Sequence, residues 1–163
     1  MEIRPFAETD IGDVVDLSLR AWEPVFDSLE EAMDADVYAH FYPDWRVTQA
    51  EAVRNACTDD DVHVWVALAR EGPEEEAVAG FVALKLHGED RMGEIYMIAV
   101  DPEHQRRGIA RNLTSHSMQW FEDQGMAVVM VETGGDPGHA PARRAYESAG
   151  FRRLEVARYF RKV

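Results

Sequence analysis

Asp101-Pro102-Glu103-His104-Gln105-Arg106-Arg107-Gly108-Ile109-Ala110 lies between an apolar run ending at Val100 and a helical pattern beginning at Gly108. The first amides of a helix have no partner within the helix, and they carry the positive end of its dipole. A glycine there allows close backbone approach, and Arg106 and Arg107 add charge beside it. Such a junction suits a phosphate or pyrophosphate.

Working outward, the segment before this junction, Gly93 to Val100, reads as a strong strand, and Gly108 to Phe121 as a helix stopped by Gly125. Met126 to Thr133 reads as another strand. Gly134-Gly135-Asp136-Pro137-Gly138 forms a loop, Ala140 to Ala149 a helix stopped by Gly150, and Phe151 to Arg161 a closing strand or hairpin.

Upstream, Val62 to Ala69 and Ala77 to Leu86 are β-rich runs joined through a Gly72-Pro73 turn, and are expected to pair antiparallel. Ile3 to Phe6 reads as a first strand, with Thr9 or Asp10 capping a helix that ends near Trp22. Pro24 then interrupts, and Val25 to Phe41 carries a second helical pattern. Thr48-Gln49-Ala50-Glu51 has capping-box spacing for a helix to about Ala56. The order describes a mixed α/β chain with strand–helix–strand crossovers in its later half.

At 163 residues one domain over 1–163 is expected. No apolar run nears the ~18 residues of a membrane span, and Met1-Glu2-Ile3-Arg4-Pro5 lacks a signal-peptide core, so a soluble cytoplasmic protein is expected. The lone Cys57 excludes an internal disulfide, and the six scattered histidines suggest no metal site. Residues 1–90 hold 22 acidic and 6 basic side chains, against 9 and 11 in residues 91–163. The acidic first part would attract cations and repel nucleic acid; the second part suits an anion.

The segment Gln105-Arg106-Arg107-Gly108-Ile109-Ala110 resembles the cofactor loop of the GNAT superfamily of N-acetyltransferases, Gln/Arg-x-x-Gly-x-Gly/Ala. His139-Ala140-Pro141-Ala142-Arg143-Arg144-Ala145-Tyr146-Glu147-Ser148-Ala149-Gly150-Phe151 resembles a second motif of that family in order and spacing. His139 stands where the family pattern has asparagine. The close resemblance covers about residues 91–153.

The resemblance implies a single-domain GNAT-like fold: a mixed central sheet of about six to seven strands, about four to five flanking helices, and splayed parallel strands holding the cofactor. It implies acetyl-CoA as donor. Gln105, Arg106, Arg107, Gly108, Ile109, Ala110 and Arg111 would hold the pyrophosphate, Ile98, Ala99 and Val100 the pantetheine arm, with His139 and Ala142 nearby. An extended amide-containing arm satisfies strand groups that a splayed neighbour leaves unpaired.

Acyl transfer to an amine needs a neutral amine, a stabilised oxyanion and a proton for the departing thiolate. By the resemblance Tyr146 is the general acid and Glu94 the base, with Glu132 in reserve. Strand alternation would put Glu94, Tyr96 and Ile98 on one face. Cys57 lies far from both motifs, so direct transfer is expected over an acetyl-cysteine route.

Trp22, Phe26 and Tyr96, with Glu132, Thr133 and the acidic Glu23, Asp27, Glu30 and Glu31, are the acceptor-binding candidates. They suit a small cationic amine such as an aminoglycoside or polyamine. Acetylation of a protein amino terminus or lysine is a second reading, and a non-catalytic acyl-CoA or cationic-ligand binder a third. An exposed closing strand would favour a homodimer.

Overall fold

A computed structural model of the chain describes residues 1–70 and 76–163. The turn expected at Gly72-Pro73 lies outside the described residues.

Strand β1 (Glu2–Pro5) leads through a 3-10 turn at Glu8–Asp10 into helix α1 (Ile11–Ala32). Asp10 does not cap this helix with its side chain. Its carboxylate instead accepts both Arg4 guanidinium nitrogens at 2.7 and 2.8 Å and the Ala7 amide at 2.8 Å, tying β1 to the helix entrance.

Helix α1 runs straight through Pro24 to Ala32, so the break expected near Trp22 does not occur. A proline inside a helix removes one hydrogen bond and crowds the preceding turn. Burial of Val14, Val15, Leu17, Ser18 and Phe26 along one stripe outweighs that loss.

Helix α2 is the short Ala35–Phe41. Helix α3 (Trp45–Thr58) starts before the expected capping box: Asp44 is its cap, accepting from the Val47 amide, and the Thr48 hydroxyl turns back to helix carbonyls. The earlier start lets Trp45 stack on Phe26, with ring centroids 4.2 Å apart.

Strands β2 (Val62–Arg70), β3 (Glu76–His87) and β4 (Met92–Val100) follow, then helix α4 (Ile109–Asp123), strand β5 (Val128–Val131) and helix α5 (Ala140–Ser148). The sheet order is β1-β2-β3-β4-β5, antiparallel except for the parallel β4–β5 pair. One face packs Val64, Val66, Phe81, Ala83 and Ala99 under α1 and α3. The other packs Ala67, Val82, Leu84, Ile95 and Val100 under Ile109, Leu113 and Phe121 of α4.

The described residues form five strands, fewer than the six to seven expected. The run Met126 to Thr133 contracts to four residues in β5, and residues 151–163 take no regular structure. A strand exists only through a partner. Here Leu154, Val156 and Tyr159 stand 84%, 79% and 89% exposed, and the contacts of this segment include Phe160 on Phe41 and Lys162 on Asp36. The closing strand from which a dimer was expected is therefore absent from the described residues.

Candidate active site

Parallel pairing of β4 with β5 runs from Met92↔Val128 to Ile95↔Val131 and stops there. Beyond it β4 continues to Val100, paired only with β3 through Val82↔Ile98, Phe81↔Ala99 and Gly80↔Val100. Among the described residues, the edge of β4 from Tyr96 to Val100, holding Ile98, Ala99 and Val100, thus has no strand on its second side. Its groups are available to an extended, amide-bearing molecule. At the far end Gln105 Nε2 donates to the Val100 carbonyl at 3.2 Å, fixing the loop to the strand.

That loop delivers the start of α4. Arg106 and Gly108 both take left-handed backbone conformations, with φ of 61° and 83°. Two such residues in three curl the chain into the shape in which amides converge on an anion. Gly108 is the cap residue of α4 and offers no side chain to its amides, so those at Ile109, Ala110 and Arg111 stay available. A Cβ at Gly108 would meet nothing within 4 Å, so conformation and not crowding calls for glycine. Arg106, Arg107 and Arg111 are exposed around this turn, while Ile109 is buried and anchors the helix.

Helix α1 crosses the opening between the two strands. Arg20 pairs with the buried Asp101 at the end of β4, and Ser28 Oγ donates to Asp136 Oδ2 at 2.7 Å in the loop after β5. Gly138 lies so close to α1 that a Cβ would come 2.6 Å from Ser28 Cβ and 3.0 Å from the Pro24 carbonyl. The Arg20–Asp101 and Ser28–Asp136 contacts escaped sequence reasoning. The second needs a helix that continues past Pro24, which the sequence pattern denied.

Glu94 sits on β4 opposite Lys85 of β3, its side chain 19% exposed, and its Oε2 lies 2.7 Å from His87 Nε2. Strand alternation does not carry through to Ile98 as expected. Ala83 pairs with Met97 and Leu84 with Ile95, leaving Tyr96 as the extra residue of a bulge. Ile95 and Ile98 consequently both pack on the α4 side, and Met97 and Ala99 on the α1 side. Glu94 therefore does not share a face with Ile98. Tyr96, 41% exposed, carries Lys85 Nζ over its ring at 3.5 Å.

On α5, Tyr146 is half-buried with its ring edge-on to Phe151, and burial pushes its hydroxyl up to about 12. It stays a proton donor through the neutral range. Ala142 lies one turn earlier. His139 precedes the helix and bonds through Nδ1 to Asp136 Oδ1. Burial acts to raise the Asp136 carboxyl, but the hydrogen bonds from Ser28 and His139 win and hold it below its ordinary value.

The acceptor candidates divide. Phe26 is buried, stacked on Trp45 and edge-on to Tyr42, which corrects its expected place on the acceptor surface: the helix face that carries it is the core face. Trp22, half-buried, packs edge-on to Phe81. Glu132 and Thr133 follow the last residue of β5; the Glu132 carboxylate is exposed and pairs with Arg158 at 3.3 Å. Cys57 is half-buried, and burial pushes its thiol up to about 11, the reverse of an activated nucleophile. Among the described residues no group of three or more His, Cys, Asp or Glu stands ready for a metal, and no helix is long and apolar enough to cross a membrane.

A family model described as acetyltransferase (GNAT) family matches residues 22–151. The chain belongs to the GNAT acetyltransferase family. Among GNAT relatives, the mycothiol acetyltransferase of Rhodococcus jostii (strain RHA1) is 26% identical over 94% of this chain and 52% of its own length. That of Thermomonospora curvata is 40% identical over 47% of this chain and 25% of its own length. The chain thus spans about half the length of the Rhodococcus relative, or less of other relatives it matches. Two solved structures share the GNAT fold. A mutant of the BH1408 protein from Bacillus halodurans has a TM-score of 0.74 at 15% identity, with 100% of both chains covered. The aminoglycoside 6'-N-acetyltransferase AAC(6')-Ig from Acinetobacter haemolyticus has a TM-score of 0.68 at 16% identity, with 100% of this chain and 99% of its own covered.

Proposed function

We propose that this chain transfers the acetyl group of acetyl-CoA directly to the primary amine of a small cationic molecule. The observation that carries the reading is the unpartnered β4 edge from Tyr96 to Val100, ending at the uncapped start of α4. A pantetheine arm bears amides at spacings that a strand edge satisfies, and a pyrophosphate suits the amides of residues 109–111 with Arg106, Arg107 and Arg111 around them.

Within that frame Tyr146 donates a proton to the departing thiolate. Its raised value keeps the hydroxyl protonated at the pH of turnover. Glu94, on the α1 side of β4, gives the acceptor ammonium a carboxylate to approach. We assign acceptor contacts to Tyr96 on β4 and Thr133 just past β5. Direct transfer fits the raised Cys57 thiol.

The acidic first part of the chain favours polyamine or aminoglycoside-type acceptors. The names of the Rhodococcus and Thermomonospora relatives bring a mycothiol-type amine to the same shortlist. The test is thiol release from acetyl-CoA with purified protein across aminoglycosides, polyamines, amino-sugar thiols and amino-terminal peptides, with each product weighed. Turnover on one small amine, lost in Tyr146→Phe, supports the reading. Turnover on peptides alone moves the assignment to a protein acetyltransferase, and tight acetyl-CoA binding without turnover moves it to a binding protein.

A further inference from the structure

Between β5 and α5 the chain builds an aspartate–histidine pair. Asp136 Oδ1 faces His139 Nδ1, while Oδ2 accepts from Ser28 Oγ at 2.7 Å and from the Gly138 amide at 3.0 Å. The Asp136 side chain is 6% exposed and that of His139 21%, so the carboxylate is enclosed and the ring reachable. Arg143 donates to the Asp136 backbone carbonyl at 2.8 Å and also to that of Gly134, closing the loop beneath the pair.

This arrangement fixes the tautomer of the ring. A carboxylate on Nδ1 makes that nitrogen the donor, so the lone pair sits on Nε2. No hydrogen bond to Nε2 is present among the described residues. A loop staple alone would need only an amide at this position, the residue type of the family pattern. His139 closes the 3-10 turn that leads into α5, seven residues before Tyr146 in the chain.

We infer that His139, oriented by Asp136 and through it by Ser28 of α1, is the base that takes the proton from the acceptor ammonium. The inference rests on the transfer reading above and names the proton acceptor within it. The ammonium gives one proton to Nε2. The freed nitrogen lone pair forms the C–N bond at the thioester carbonyl carbon, and the C–S bond breaks with its electron pair on sulfur. Tyr146 protonates that sulfur and is restored by the second proton of the attacking nitrogen. His139 releases its proton to solvent, leaving amide, thiol and one proton. Glu94 then attracts the ammonium, and His139 deprotonates it.

The experiment compares wild type with His139→Gln, Asp136→Asn and Glu94→Gln on the acceptor that wild type turns over. His139→Gln should lower kcat about 100-fold, with KM for acetyl-CoA within about threefold and the melting temperature retained. It should also remove the acidic limb of the kcat profile. His139→Ala should regain activity with added imidazole. Glu94→Gln should raise the acceptor KM and keep the limb. The charged groups about the ring are the Asp136 carboxylate and the Arg143 guanidinium, with Ser28 the α1 residue bonded to that carboxylate. A His139→Gln enzyme with wild-type kcat and profile overturns the inference alone and leaves His139 as a loop staple. A wild type inactive on every amine overturns the transfer reading itself.

Discussion

Gly108 is held at a φ of 83° with open space where a Cβ would stand, so an alanine there meets backbone strain and no clash. The strain amounts to about 1–2 kcal/mol, enough to turn the loop and misdirect the amides that follow. Gly108→Ala should therefore raise KM for acetyl-CoA by roughly tenfold and leave kcat at saturation near wild type, as initial rates will show. Tyr146 offers the complementary case. Its hydroxyl makes no hydrogen bond among the described residues, so Tyr146→Phe should lower kcat by about 100-fold with acetyl-CoA affinity retained, checked by single-turnover kinetics and equilibrium binding. The two substitutions separate holding the donor from protonating its sulfur.

Elements decide where those residues sit. Gly138 approaches Ser28 so closely that Gly138→Ala must push the loop after β5 off α1. The cost should be about 1–3 kcal/mol by thermal melting, with turnover falling as His139 loses its anchor. The sequence made β2, β3, β4 and α4 legible because each is set by local apolar periodicity, and it made the 105–110 loop legible because its chemistry is contiguous. Three features depend on contacts remote in sequence and were not legible. Helix α1 survives Pro24 because its stripe is buried. The bulge at Tyr96 arises from register with β3, which turns Ile98 away from Glu94. The short β5 and the irregular 151–163 segment depend on whether a partner edge exists. Asp136 was visible as a loop residue, but its Ser28 partner lies 108 positions away.

For the whole molecule, charge and buried titratable groups set the response to solvent. The net charge of −14 makes association with a cationic acceptor sensitive to screening, so its KM should rise as ionic strength goes from about 0.01 M to about 0.15 M while that of a neutral amine stays flat. Burial lowers the His116 imidazole below its ordinary value of 6.5, and Nε2 has no hydrogen-bond partner among the described residues. The unfolded chain then takes up that proton at higher pH than the folded one. The contribution is intact above the ordinary value and is lost as pH falls below it. His116→Leu should flatten the decline in melting temperature between about pH 7 and about pH 5. Asp10, Asp101 and Asp136, all held below the ordinary carboxyl value of 3.8, contribute stability present above that value and lost at still lower pH, which this substitution leaves unchanged.

Arg20 and Ser28, the two α1 residues that grip Asp101 and Asp136, are separated by two turns of helix, roughly 12 Å of rise. A sheet with one strand left out has flanking strands about 9.6 Å apart, twice the usual spacing. Helix α1 therefore works as a tie between the end of β4 and the loop after β5, holding both sides of the opening on one rigid element. Removing a single turn between the two anchors would put them out of step, so that only one side of the opening could be held at a time.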